Sequence, residues 1–241
     1  MSTLPTVALV YCEVFREEIA IASAGATHIR ERIEFEIGLH DHPPKMRVCL
    51  QEVIDKLEAR NDITAVLLAY GLCGHGTAGL RARRHSLVLP RAHDCISVFL
   101  GGADIHAARQ SACPGCHYYT CGWNRARRVP GPERTAALRE EYARRFDEET
   151  VDFLLDQERE LWSHYDTAAF IDTGTANTET EAAYTRKCAQ SLGWRYEEIA
   201  GDRSFLHQLL WGPWDNGRFI QVAPGRQVAV RTDGSVMTAT E

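Results

Sequence analysis

Apolar residues along this chain follow two recurring patterns. Short, nearly continuous apolar runs at 6–11, 63–70, 87–90 and 168–172 predict buried strands. Between them, apolar residues return at helical spacing. The stretch 46–59 carries Val48, Leu50, Val53, Ile54 and Leu57 and predicts an amphipathic helix, entered at Pro43 and Pro44. Residues 13–20, 96–100, 178–191 and 205–210 read as further helices, and 33–37, 194–199 and 218–222 as further strands. From 130 to 163 the pattern is helical and heavily charged, entered at Pro130-Gly131-Pro132, and its charge reads as a solvated helical surface. Pro224-Gly225 predicts a turn, and the tail from Thr232 a loose end.

Strand followed by helix, several times over, predicts an α/β fold with a mostly parallel, Rossmann-like sheet and flanking helices. The break near Pro130 divides the chain into a cysteine-containing α/β unit at 1–130 and a helical segment with a second, smaller α/β unit at 131–241. The two are expected to pack together or to run on as one domain. At 241 residues the chain is long enough to bury a full core without covalent staples.

Composition narrows the function classes. A net charge of −6 leaves no basic excess for a nucleic-acid backbone or an anionic membrane surface. The apolar runs are too short to span a bilayer, and the N-terminal residues lack the charged and apolar regions of a secretory signal. A cytoplasmic location follows as the expectation, with a small-molecule substrate as the partner and a homo-oligomer compatible with everything seen. In that compartment thiols stay reduced, so clustered cysteines are more often metal-binding or catalytic than bridged.

There are eight cysteines. Cys49 and Cys188 fall on helical patterns and read as core, where a free thiol behaves as a small hydrophobe. Cys12, Cys73 and Cys95 each follow a predicted strand directly or sit in its first loop, and parallel sheets bind ligands outside the carboxyl ends of their strands. Around them stand His93, Asp94, His75 and Arg91, candidates for acid–base work or for neutralising an anion. Gly71, Gly74 and Gly76 interrupt the loop at Cys73 and would let backbone approach a bound group. This loop is neither a P-loop nor a dinucleotide fingerprint. Cys113-Pro114-Gly115-Cys116, then His117 and Cys121, is similar to a zinc knuckle or a redox dithiol, though no second pair follows at zinc-ribbon spacing. If that stretch is a strand, Cys116 and His117 point to opposite faces and cannot share a site. Trp123, Trp211 and Trp214 read as core or pocket wall, and Asp172 and Asp215 as caps at loop entries.

Four segments together resemble the signature of a bacterial and archaeal family catalogued as domain of unknown function 1638. They are Tyr11-Cys12-Glu13-Val14, Tyr70-Gly71-Leu72-Cys73-Gly74-His75-Gly76, Pro90-Arg91-Ala92-His93-Asp94-Cys95 and Gly212-Pro213-Trp214-Asp215. The resemblance runs over most of the chain and implies that Cys12, Cys73, His93, Asp94 and Cys95 belong to the family pattern. It also implies a one-carbon context, because members lie beside corrinoid methyltransferase genes, and so a corrinoid protein as a partner. Cys113, Cys116 and Cys121 depart from that pattern, which more often reads Pro-Gly-Thr-Tyr-Tyr there.

Three thiolates select zinc, copper(I) or an iron–sulfur cluster, and leave one coordination position open on zinc or on a [4Fe–4S] cluster. The expectation is therefore a metalloprotein with Cys12, Cys73 and Cys95 as ligands of zinc or a [4Fe–4S] cluster. His93 would be a fourth ligand or an acid–base group, and Asp94, His75 and Arg91 would line the pocket. It would act as a lyase, hydrolase or methyl or alkyl transferase in one-carbon, sulfur or amine metabolism. The alternative is a non-catalytic accessory or metal- or cofactor-binding protein of a corrinoid methyltransferase system.

Overall fold

The computed structural model describes residues 4–214, 217–232 and 235–241. The fold is α/β, and its contacts divide the chain into two compact units. One comprises residues up to Ala107 together with Asp202–Glu241, and the other Ala108–Gly201. The division differs from the break expected near residue 130, because the chain returns after Gly201 to complete the first sheet.

The first unit begins with β1 (Val7–Cys12), α1 (Arg16–Ala22), β2 (Ile29–Phe35) and α2 (Pro43–Leu57). It continues with β3 (Ala65–Ala69), β4 (Ser86–Pro90), α3 (Cys95–Leu100) and the start of α4 (Ala103–Ala112). The second unit carries β5 (Cys116–Tyr119), α5 (Cys121–Arg125), α6 (Pro132–Ala143) and α7 (Glu148–Leu161). It ends with β6 (Thr167–Asp172), α8 (Thr178–Leu192) and β7 (Arg195–Ala200). The return segment is α9 (Arg203–Trp211), β8 (Phe219–Val222), β9 (Gln227–Val230) and β10 (Met237–Thr240).

The sheet of the first unit runs in the order β2-β1-β3-β4-β8, parallel except for β8, which pairs antiparallel with β4. From β1 the chain moves outward to β2, then returns to place β3 on the other side of β1. The strand order therefore reverses between β1 and β3, the position where an open α/β sheet forms a crevice at its carboxyl edge. One face buries Ala8, Val10, Val66, Leu68, Leu87 and Leu89 under Met46, Leu50, Ile54 and Leu57 of α2. Alternate residues Val7, Leu9, Leu67 and Val88 point to the opposite face. On that face α1, α3 and α9 pack together, with α9 lying on β3 and β4. The second unit has its own parallel sheet, β5-β6-β7, with α8 packed on β6 and β7.

Two elements differ from the sequence expectation. The strand at 218–222 belongs to the first sheet rather than the second, as its antiparallel edge. The tail is not loose, because β10 pairs with β9 and buries Met237 completely. The charged stretch forms α6 and α7, cross-linked at the surface by Arg134–Glu158 at 3.1 Å and Arg139–Asp152 at 2.6 Å. No described helix is long and apolar enough to cross a membrane.

Leu50 is fully buried at the centre of the α2 face. Leu50→Ala is expected to lower unfolding free energy by about 2–5 kcal/mol in urea titrations followed by circular dichroism, a loss set by the cavity left behind.

Candidate functional site

The site starts where β1 and β3 end. Residues of one parity on each strand face α2, so Cys12 follows Val10 and Tyr70 follows Leu68 onto that face. The strands pair in register through Tyr11 and Ala69, which leaves Cys12 and Tyr70 as neighbours just beyond the last pair. Cys12 and Cys73 both pack against the α2 core cluster, of which Tyr70 is a member. Tyr70 is 4% exposed, and its hydroxyl oxygen is buried without a hydrogen-bond partner. Nearby Cys12, Cys73 and Glu34 act with burial to push its pKa up.

The loop after β3 is held to the loop after β4. The Leu72 N–H donates to the Ala92 carbonyl and the Cys73 N–H to the His93 carbonyl, each at 2.8 Å. Contact is close enough that a Cβ on Gly71 would lie 2.8 Å from the Asp94 nitrogen, so only glycine fits. Cys73, Gly74 and His75 then take φ of 47°, 61° and 71°, a left-handed turn in which two of three residues bear a Cβ. Each non-glycine residue held there costs roughly 1–2 kcal/mol, and such strain survives only where surrounding contacts enforce it. Here the Gly76 N–H donates to the Cys73 carbonyl, and buried Thr77 donates through its hydroxyl to Gly71 at 3.1 Å. A Cβ on Gly76 would collide with the Met46 side chain. The three glycines expected to approach a cofactor are thus each explained by backbone geometry or packing.

Asp94 caps α3, accepting from the Ser97 N–H at 2.9 Å and the Ser97 hydroxyl at 3.0 Å. The same hydroxyl lies 2.9 Å from His106 Nδ1. Cys95 begins α3, and among the described residues its sulfur does not form a common ligand set with Cys12 and Cys73 within 4.8 Å. His93 and His75 are exposed. His93 contributes its carbonyl to the loop pairing, and the His75 carbonyl accepts from Arg47 at 3.0 Å. Arg91 is engaged elsewhere: its guanidinium donates to the carbonyls of Phe219, Ser235 and Met237, tying β4 to β8 and β10. The structure therefore joins Cys12 and Cys73 closely, brings Asp94 beside them, and leaves Cys95, His93 and His75 on the same edge at greater reach. Arg91 fits a structural role.

Sequence reasoning missed Tyr70, which sits inside the motif it quoted. Its parity with Leu68, matched to that of Cys12 with Val10, was the available signal. It also missed Glu34 and Arg16. Arg16 binds Glu34 through Nε at 2.9 Å and Nη2 at 2.5 Å, beside Tyr11.

The electrostatics favour a cation. Burial, then the carboxylates Glu13 and Glu34, pushes the Cys12 thiol up to about 11 against a backbone hydrogen bond that lowers it. Burial, then Asp94 and Cys12, pushes Cys73 up to about 12. Both thiols are protonated at neutral pH in a pocket of negative sign. A positive ion there would offset the contribution of the carboxylates, the smaller of the two causes.

The second cysteine group lies in the other unit. Cys113 and Cys116 are joined by a disulfide, where reduced thiols were expected from compartment reasoning. Their sulfurs lie within 4.8 Å of a Glu197 carboxylate oxygen, the group of metal-type donors found among the described residues. Cys116 and His117 do alternate on a strand. His117 turns away into the rings of Tyr119, Trp162, Tyr165 and Trp194, where burial lowers its pKa to about 4. Cys121 and Cys188 are buried, while Cys49 is half-buried on α2. Asp172 ends β6 and braces the following loop, accepting from the Gly174 N–H at 2.5 Å and the Thr178 hydroxyl at 3.0 Å, while Asn177 takes the N-cap position of α8; Asp215 lies outside the described residues. The indoles of Trp211 and Trp214 donate to the carbonyls of Ala22 and Leu209 and serve as packing.

Fold and site define a doubly wound α/β protein with a thiol-bearing strand-order reversal. The chain belongs to the family described as Protein of unknown function (DUF1638), which matches residues 35–210, nearly three quarters of its length. The match includes Tyr70, Cys73, His93, Asp94 and Cys95, and begins after Cys12. Comparison with curated proteins and with solved structures gives no match.

The raised thiol pKa values carry a sign for stability. A thiol titrating near 9 when unfolded and higher when folded stabilises the native state below pH 9, and that contribution is lost as pH rises through 11 and 12. Metal-free wild type is expected to lose unfolding free energy steadily above pH 9, and Cys12→Ala/Cys73→Ala to show a flatter profile over that range. Urea titrations at stepped pH measure both.

Proposed function

We propose that this chain is a thiolate metalloprotein whose centre lies at the carboxyl edge of β1 and β3, with Cys12 and Cys73 as anchoring ligands. The observation that carries the reading is the gathering of two half-buried thiols, from the end of β1 and the loop after β3, around Tyr70 with its buried, unpartnered hydroxyl at the strand-order reversal. The donor set fits a soft cation. Two thiols stand near enough to influence one another, and the carboxylates of Glu13, Glu34 and Asp94 raise the cost of leaving them as bare thiolates. Cation binding releases the thiol protons and reverses that cost. Cys95 is the third ligand in this reading, on the edge two residues beyond the His93 carbonyl that fixes Cys73.

Zinc or a [4Fe–4S] cluster bound there would supply a Lewis acid with an exchangeable position for a small molecule. The chain's own residues do the rest. Tyr70 offers its hydroxyl to a ligand sulfur or to a bound small molecule. The left-handed turn at Cys73–His75 holds one ligand rigidly, and exposed His93 and His75 stand at the rim for proton transfer. The reading remains that of a cytoplasmic enzyme of one-carbon, sulfur or amine metabolism. An accessory protein that delivers metal or cofactor to a corrinoid system is the alternative.

Elemental analysis and visible absorption of anaerobically prepared full-length protein test this. Wild type is expected to carry stoichiometric zinc, or to be brown with iron and sulfide. Cys12→Ser and Cys73→Ser are each expected to lose most of the metal while keeping the wild-type circular dichroism. Cys95→Ser tests the third ligand separately. Tyr70→Phe is expected to weaken metal affinity by about 10–100-fold without abolishing it. Folded wild type that holds neither metal as prepared nor after incubation with zinc, or with iron and sulfide, would overturn the reading.

A further inference from the structure

The cysteine pair of the second unit has a guanidinium among its neighbours, paired with a carboxylate, where carboxylates stand near Cys12 and Cys73. Cys113 follows the last turn of α4, where its N–H donates to the Arg109 carbonyl at 2.9 Å. The Cys116 N–H returns to the Cys113 carbonyl at 3.1 Å, closing a four-residue turn around Pro114-Gly115. That turn is clamped, since the N–H groups of Asp166 and Thr167 both donate to the Gly115 carbonyl and the Gln110 amide donates to the Pro114 carbonyl. A Cβ on Gly115 would lie 2.7 Å from Asp166 Oδ1. The clamped backbone sets the two Cα atoms 5.5 Å apart, within the usual range for a disulfide.

The two sulfurs are not equivalent. Cys113 is half-buried at the turn, whereas Cys116 is 2% exposed and begins β5. The Arg109 guanidinium lies beside Cys116, with Nη2 3.7 Å from its Sγ, and is held there by Glu197. A cation beside a sulfur stabilises its thiolate, which makes that sulfur the better leaving group. The same guanidinium pairs with the one carboxylate that would join the sulfurs in holding a metal ion. A thiolate-stabilising role therefore fits this cluster better than a divalent cation does.

We propose that Cys113 and Cys116 form a thiol–disulfide exchange site, with Cys113 the sulfur that meets the co-reactant, Cys116 the leaving thiolate, and Arg109 the positioning residue. The co-reactant is a dithiol. Its first thiolate bonds to Cys113 Sγ as the Cys113–Cys116 bond breaks, and the bonding pair leaves on Cys116 Sγ beside Arg109. The second thiol of the co-reactant loses its proton and displaces Cys113. The co-reactant departs as a disulfide, oxidised by two electrons, and its two protons end on the two protein thiols. Run backward, the same steps let the reduced pair reduce a disulfide. This site is independent of the Cys12–Cys73 centre.

The test equilibrates the folded full chain with dithiothreitol at stepped thiol-to-disulfide ratios, alkylates with iodoacetamide and reads each cysteine by peptide mass. The expected result is reversible, paired reduction of Cys113 and Cys116 with unchanged circular dichroism. Cys116→Ser is expected to trap glutathione on Cys113, and Cys113→Ser to trap little on Cys116. Arg109→Gln is expected to slow reduction about tenfold and to move the alkylation profile of Cys116, read in Cys113→Ser, to higher pH; Arg109→Lys is expected to restore both in part. A pair that stays oxidised in excess dithiothreitol while the chain is folded is a structural disulfide and overturns the proposal. So does stoichiometric zinc lost on Cys113→Ser, or an Arg109→Gln variant with wild-type rate and profile.

Discussion

Two backbone hydrogen bonds, from Leu72 to Ala92 and from Cys73 to His93, govern the geometry of the first unit's carboxyl edge. They extend the parallel β3–β4 pairing past the ends of both strands and into the loops. The loop after β3 cannot then swing free as most strand–helix connections do. It must turn back within a few residues, and it does so through three consecutive left-handed residues. Gly71 is forced by the closeness of the pairing, Gly76 by Met46 beneath it, and Thr77 closes the loop from inside. A strained turn held at both ends is a rigid platform, and Cys73 stands on it.

The strand order gives that platform its partner. β1 lies inside the sheet, second from its edge, with β2 on one side and β3 on the other. Cys12 and Tyr70 lie side by side just beyond the last β1–β3 pair, at the position where doubly wound sheets open a crevice. Burial of two thiols and a phenol beside three carboxylates leaves each group in its neutral form. The Arg16–Glu34 pair limits how far this negative field extends, since it neutralises the carboxylate next to Tyr11.

Much of the first unit was legible in the chain. The apolar runs of β1, β3 and β4 and the helical spacing of α2 are strong periodic signals, and they place Cys12 and Cys73 at strand ends without any structure. Strand order is a different kind of information. It depends on which strands pair across long separations, and β8 illustrates the consequence: its local pattern is that of any short strand, but it closes the first sheet from 130 residues downstream of β4. Cys95 illustrates a subtler limit. Its position after β4 is like that of Cys73 after β3, but Asp94 caps a helix at that point and Cys95 becomes the first residue of α3. Arg91 looked like an anion ligand because nothing local shows the three carbonyls that claim it. Tyr70 was hidden for the opposite reason, since a tyrosine ending an apolar strand resembles core until its hydroxyl is found without a partner.

The two cysteine pairs show how environment, rather than spacing, assigns chemistry to a thiol. Cys12 and Cys73 are 61 residues apart and meet only because the sheet is doubly wound. Burial and neighbouring carboxylates both disfavour their thiolates. Cys113 and Cys116 are three apart and would meet in any chain with this turn. Their neighbours are a guanidinium and the carboxylate paired with it, and the guanidinium is the group that donates to Cys116. A thiolate centre that binds metal needs ligands that wait protonated for the ion, and an exchange site needs one thiolate that is ready to leave. In this fold the two cysteine pairs stand in separate units with different charged neighbours, carboxylates near Cys12 and Cys73 and an Arg109–Glu197 ion pair beside Cys116.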